Sequence, residues 1–223
     1  MIGFNALGRM GRLANQMFQY ASLKGIAKNV GADIIVPYYK DAIDDGIGNK
    51  LRSELFDSFN LNVNTGLLNN GNAPVVQERF FHFDEDLFKL CPDHVSLHGF
   101  FQSEKYFKHI EGEIREDFEF IDDILIPCED FIDQFNNVIF LHVRRGDPNL
   151  TDARGFKWSY TQCGDQHPVQ PVEYYEKALA EFDDNQPVIV FSDSVDWVKE
   201  QEFFSGDRFL ISEPVDKYSD GSY

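Results

Sequence analysis

His142-Val-Arg-Arg-Gly-Asp147 places two guanidiniums side by side directly behind an apolar run, Val138-Ile-Phe-Leu. Guanidinium forks bind phosphate and carboxylate oxygens in paired fashion. In a chain with 20 basic and 38 acidic residues, a net charge of −18, adjacent Arg144 and Arg145 are costly unless they meet an anion. A second group lies near the start: Gly8, Gly11, Arg12, Asn15 and Gln16. A helix that starts behind such glycines offers unpaired N–H groups and positive partial charge to an anion. One arginine and two amide side chains there add donors for phosphate and hydroxyl oxygens. Groups of this kind stabilise negative charge that grows on a departing phosphate. Blander readings stand beside these. The glycines need only make a tight turn, and Arg144 and Arg145 can pair with a local acid such as Asp147.

Each cluster needs an element to position it. Ile2 to Ala6 reads as a short buried strand. Leu13, Met17, Tyr20, Leu23, Ala27 and Val30 recur at three- and four-residue spacing, which predicts an amphipathic helix ending near Gly31. Asp33-Ile-Ile-Val-Pro37 is a second strand. In the other half, Val138 to Val143 is an apolar run of the kind buried on both faces of a parallel sheet. A helix opening at Pro171, a strand at Val188–Phe191, a helix from Ser194 to Phe204 and a strand at Arg208–Ser212 follow. That is β-α-β-α-β. Ligands of open α/β sheets bind beyond the carboxyl ends of the strands, which is where Arg144 and Arg145 emerge. Ser192 and Asp193 leave the next strand end. One of them either caps the helix near Val195 or faces the same ligand.

The middle of the chain is harder to read. Residues 40–80 are polar and turn-rich and predict loops with short helices. Val95 to Phe101 predicts a strand and Glu104 to Ile110 a short helix. Residues 111–133 are acidic, contain Pro127 and read as irregular. The expected division is an N-terminal α/β domain over 1–133 and a C-terminal Rossmann-like domain over 134–223. With 43% hydrophobic residues and 22 phenylalanines, the chain can bury a core rich in aromatic rings.

Several classes are excluded. So acidic a chain repels nucleic acid. Cys91, Cys128 and Cys163 have no CxxC pairing, and the six histidines show no metal-ligand spacing. No apolar run is long enough to span a bilayer, and the first residues do not read as a signal peptide. The expectation is a cytoplasmic protein, with peripheral membrane contact left open. Ala6-Leu-Gly-Arg-Met-Gly11 approaches the dinucleotide fingerprint, which would make the chain an NAD-dependent oxidoreductase. Its first glycine is replaced by Ala6, however, and the nearest acid, Asp33, precedes the second strand instead of ending it. No Gly-Lys-Ser/Thr marks a P-loop. Trp158, Cys163 and His167 lie in the long loop after Asp147 without a readable catalytic arrangement.

Gly11-Arg-Leu-Ala-Asn-Gln-Met-Phe-Gln-Tyr-Ala, Phe101-Gln-Ser-Glu-Lys-Tyr-Phe, His142-Val-Arg-Arg-Gly-Asp, His167-Pro-Val-Gln-Pro-Val-Glu-Tyr-Tyr and Phe191-Ser-Asp-Ser-Val-Asp-Trp occur in the chain. Together they resemble the α-1,2-fucosyltransferases, glycosyltransferase family 11, over nearly the whole length. The resemblance implies a GT-B-like α/β architecture, two Rossmann-like domains facing a cleft. It implies inverting transfer of L-fucose from GDP-β-L-fucose to the 2-hydroxyl of a galactose-containing acceptor, with no metal or other cofactor. By the same resemblance Arg144 contacts the β-phosphate, with support from Arg145 and the N–H groups after Gly11, and His142 belongs to the substrate site. Arg12 and Asn15 contact donor phosphate or fucose. Gly11, Gln16, Ser192 and Asp193 belong to the substrate site. Asp147 is an ion-pair partner of the arginines and a candidate base. Ala14 stands where the family usually has glycine, so the loop must avoid positive φ there. The family's Ser- and Trp-rich segment after the third strand is not among these residues, which implies a shortened second domain. The alternative is an inactive domain that binds a sugar nucleotide or glycan.

Overall fold

A computed structural model describes residues 1–39, 43–44, 50–51, 53–146 and 168–213. The chain divides into two units, Met1–Pro127 and Cys128–Tyr223.

In the first unit, strand β1 (Ile2–Gly3) is shorter than its apolar run, because the chain turns at Gly8 (φ 81°) and Gly11 (φ 77°). Helix α1 (Leu13–Val30) follows and ends at Gly31, whose left-handed φ of 70° stops the helix. The remaining strands are β2 (Ile34–Val36), the antiparallel pair β3 (Ile43–Asp44) and β4 (Lys50–Leu51), β5 (Asn64–Thr65), β6 (Val75–Gln77) and β7 (Ser96–His98). Strands β5-β2-β1-β7-β6 form one parallel sheet in that order. From β1 the chain runs outward through β2 to the β5 edge. It restarts at the opposite edge with β6 and returns to β7, beside β1. The order therefore reverses between β1 and β7, the place where open α/β sheets form a crevice.

Helix α1 is buried around much of its circumference, not along one stripe: Gln16, Gln19, Tyr20, Ala21, Ser22, Leu23, Gly25, Ile26 and Ala27 are all buried. Gly25 makes this possible. A Cβ there would lie 2.1 Å from the Tyr106 carbonyl oxygen. The core joins Ile2, Phe4, Leu23, Ile26, Leu97, Phe101 and Tyr106. The aromatic core expected from composition is present: Phe101 meets Phe4 at 5.9 Å and Tyr106 at 5.6 Å, edge-on.

The middle of the chain is more regular than its composition suggested. Besides β5 and β6 it forms α2 (Glu54–Ser58) and α3 (Glu85–Leu90). The helix expected over Glu104–Ile110 is two 3-10 turns, Glu104–Tyr106 and Lys108–Ile110. Residues 111–133, expected irregular, contain α4 (Glu111–Asp117) and α5 (Asp122–Ile132). Their composition explains the misreading: α4 is short and rich in acids, and α5 is acidic at its start and runs through Pro127, a residue that reads as a helix breaker.

The second unit contains β8 (Ile139–Val143), α6 (Val172–Leu179), β9 (Val188–Ser192), α7 (Val195–Glu200), a 3-10 turn at Glu202–Ser205 and β10 (Phe209–Ile211). The strands are parallel in the order β10-β9-β8. Ile139, Val143, Val188 and Val190 pack with Tyr175, Leu179, Val198 and Phe204. Burial on both faces of β8 is not observed. Phe140 is 58% and Phe191 42% exposed on the opposite face, where the two rings stack on each other. Strand alternation gives β8 one covered side and one open side, although every residue but His142 is apolar.

Candidate functional site

Each unit brings one group of residues together. In the first, the loops leaving β1 and β7 meet at the switch point. Asn15, in the first turn of α1, accepts a 2.7 Å hydrogen bond from Gln102 Nε2. Gly11 is needed beneath it: a Cβ at that position would come within 2.3 Å of the Asn15 amide. Gln16 is buried, and its Nε2 donates to the Gly11 carbonyl at 3.3 Å. It shapes the loop from within instead of facing solvent. Arg12 lies 3.0 Å from the carboxylate of Glu54, which ties the start of α1 to α2. Ala14 is inside α1 and has no positive φ, so the residue that departs from the family pattern introduces no strain.

Three residues outside the sequence expectations fix this crevice. Gln19 Nε2 donates to Met10 O at 3.2 Å and Gly99 O at 3.0 Å, bridging the two loops. Ser22 Oγ donates to Phe101 O at 3.1 Å. The Glu78 carboxylate, just past β6, accepts from Phe100 N at 2.7 Å and Phe101 N at 3.0 Å. It holds Phe101 at a φ of 52°, a conformation uncommon outside glycine. Gln102 then projects from this bend. The quoted motif beginning at Phe101 contained Gln102, but nothing in its spacing disclosed the Asn15 partner.

In the second unit, Asp193 holds the turn that carries the arginine pair. Its Oδ1 accepts from Arg145 N at 2.8 Å and its Oδ2 from Gly146 N at 3.0 Å. Ser194 Oγ donates to Gly146 O at 2.5 Å, and Ser192 Oγ accepts from Ser194 N at 2.9 Å. Neither Ser192 nor Asp193 caps α7, whose N-cap is Ser194. Asp193 and Ser194 fasten the β9 exit to the β8 exit, and Ser192 bonds within the β9 exit itself. Gly146, at φ 74°, lets the chain turn there.

The two arginines differ in environment. The Arg145 guanidinium lies 3.7 Å from the centroid of the Trp197 ring, and its Nη1 donates to Gln170 O at 3.1 Å. Burial lowers its pKa from the ordinary value, opposed by Tyr175 and Asp193, and it remains a cation. Burial also raises the Tyr175 phenol. Arg145 is thus built into the unit. Arg144, at the same strand end, is exposed, as is His142. Asp147, Trp158, Cys163 and His167 lie outside the described residues. Among the described residues, no three His, Cys, Asp or Glu side chains group to hold a metal ion. No described helix is long and apolar enough to cross a membrane.

Comparison with known proteins places these features in a family. The model of glycosyl transferase family 11 matches residues 1–210. The O-antigen biosynthesis glycosyltransferase WbnK of Escherichia coli is 26% identical over 64% of the chain and 47% of its own length. The galactoside alpha-(1,2)-fucosyltransferase 2 of Pongo pygmaeus is 25% identical over 65% of the chain and 42% of its own length. The matched stretch therefore spans less than half of each of these relatives. Among solved structures, the fucosyltransferase NodZ from Bradyrhizobium superposes with a TM-score of 0.56 at 13% identity, over 99% of this chain and 79% of that one.

Proposed function

The chain belongs to glycosyl transferase family 11, and from that premise we propose that it transfers L-fucose from GDP-β-L-fucose to the 2-hydroxyl of a galactoside, inverting the anomeric carbon. The observation that carries this reading is the division of labour between the arginines. Trp197, Gln170 and Asp193 hold Arg145 and its turn, and the neighbouring Arg144 stands exposed beyond β8. A fixed turn that presents one guanidinium suits an anion that must be met at a defined place.

In the proposed reaction the bond between the fucose anomeric carbon and the β-phosphate oxygen breaks, and both electrons leave with GDP. The acceptor 2-oxygen attacks from the opposite face, and its proton passes to a base. Arg144 meets the charge growing on the β-phosphate. Arg145, Asp193 and Ser194 position it through the turn that leaves β8, and Ser192 is assigned to the same strand-end site. Asp193 uses both carboxylate oxygens on backbone amides, so Asp147 remains the candidate base. Asn15, Arg12 and the first N–H groups of α1 are assigned to donor contacts. The NodZ alpha-1,6-fucosyltransferase has been co-crystallised with GDP, which supports a guanosine diphosphate donor for this fold.

The test is turnover of GDP-fucose with a galactoside panel, with the product linkage read by NMR. Arg144→Ala is expected to reduce kcat by about 10²–10³-fold, the loss typical of one preorganised anion donor. Wild-type turnover in that variant would refute the assignment. GDP binding without turnover on any acceptor would instead favour a sugar-nucleotide-binding domain.

A further inference from the structure

The loop leaving β6 carries four aromatic residues in a row, Phe80-Phe81-His82-Phe83, of which Phe83 packs against the core and the other three are not used by the site above. Phe81 is 94% exposed and Phe80 45% exposed. The Phe80 and His82 rings stack at 4.8 Å with 15° between their planes, and the Arg79 guanidinium lies 5.3 Å from the Phe80 centroid. The loop is anchored at its far end. Arg79 pairs with Asp84 through two bonds of 2.7 and 2.6 Å. Asp84 is buried, caps α3 through Leu87 N, and donates its own N–H to Tyr106 Oη at 2.8 Å. Glu78 anchors the near end to Phe100 and Phe101. A bare Phe ring contributes nothing to the core and leaves apolar area in water. Here both anchors stand next to the rings that face solvent.

The surroundings select the occupant. Four acids, Glu78, Asp84, Glu85 and Asp86, outnumber the one cation, Arg79, in the chain around the rings, and the whole chain carries a charge of −18. Anionic lipid and nucleotide phosphate are repelled from such a surface. A neutral pyranose is not. The C–H bonds of one sugar face pack on an aromatic ring, and its hydroxyls can donate to an exposed carboxylate such as Asp86. The position fits as well. The loop leaves the carboxyl edge of β6, next to β7, and Glu78 bonds it to the bend that projects Gln102 toward Asn15.

We propose that Phe81, next in the chain to the stacked Phe80 and His82, is an acceptor-glycan platform on which a pyranose ring of the galactoside lies. The proposal rests on the fucosyl-transfer reading for the identity of the sugar. Its test does not require turnover. Saturation-transfer NMR with methyl β-galactoside is expected to mark protons of one pyranose face. The signal should fall about fivefold or more in Phe81→Ala and persist in Phe81→Trp, while GDP affinity by calorimetry stays unchanged. With an acceptor turned over, Phe81→Ala raises KM by a similar factor and leaves kcat near wild type. Undiminished saturation transfer in Phe81→Ala overturns the proposal, as does a wild-type protein that contacts no galactoside. Phe81-dependent binding to neutral phosphatidylcholine vesicles without sugar contact overturns it too, and assigns the rings to a lipid surface. A wild-type protein that stacks galactoside yet never consumes GDP-fucose leaves the platform standing and overturns the transferase reading.

Discussion

Asp193 shows what a single carboxylate can do between two strand ends. Its oxygens take the N–H groups of Arg145 and Gly146, and Gly146 is buried. Asp193→Ala leaves both donors without their acceptor and is expected to cost about 2–3 kcal/mol of stability in urea denaturation. Asp193→Asn keeps one acceptor oxygen and is expected to lose less. An alanine variant as stable as the parent would show that water replaces the carboxylate at no cost. The sequence placed Ser192 and Asp193 at a strand end, and they are there. It could not tell that Asp193 faces backbone amides of a neighbouring loop, because spacing along one strand carries no information about the turn beside it. Arg144 and Arg145 were alike for the same reason. The Trp197 ring that separates their roles is more than fifty residues away in the chain.

At the scale of elements, α1 is the most legible part of the fold. Its apolar spacing and Gly31 predict both its course and its end, and Leu13–Val30 agrees. What periodicity did not reveal is burial on several sides, because Gln16, Gln19, Ser22 and Gly25 are not apolar markers. Gly25 tests the point. In a solvated helix, Gly→Ala stabilises by about 1 kcal/mol. Here the new methyl would lie 2.1 Å from the Tyr106 carbonyl oxygen, and overpacking against backbone costs about 3 kcal/mol or more. The second effect wins, so Gly25→Ala is expected to lower the melting temperature; a rise would mean that α1 can move away from Tyr106 freely. Helices α4 and α5 were illegible because their acids, and Pro127 within α5, read as loop. The surface ion pair of Arg115 with Glu111, 2.7 Å apart and four residues along, belongs to an exposed helix face. Acidic composition conceals such a helix.

At the scale of the whole molecule, charge dominates. An excess of 38 acids over 20 bases repels itself most at low ionic strength, where the screening length is long. Raising NaCl from about 20 to about 200 mM is therefore expected to raise the melting temperature by a few degrees. A fall would show that ion pairs such as Lys28–Glu113 outweigh the excess. The same field opposes any nucleotide, so local cations and amides must overcome it. That much was readable from composition, whereas the placement of those groups required the fold. Glu78 adds a mechanical consequence. One side chain accepts from two consecutive amides of the neighbouring loop, so the aromatic knuckle and the Gln102 hook share a single fastening. Glu78→Ala would remove the bonds that tie the knuckle to that bend.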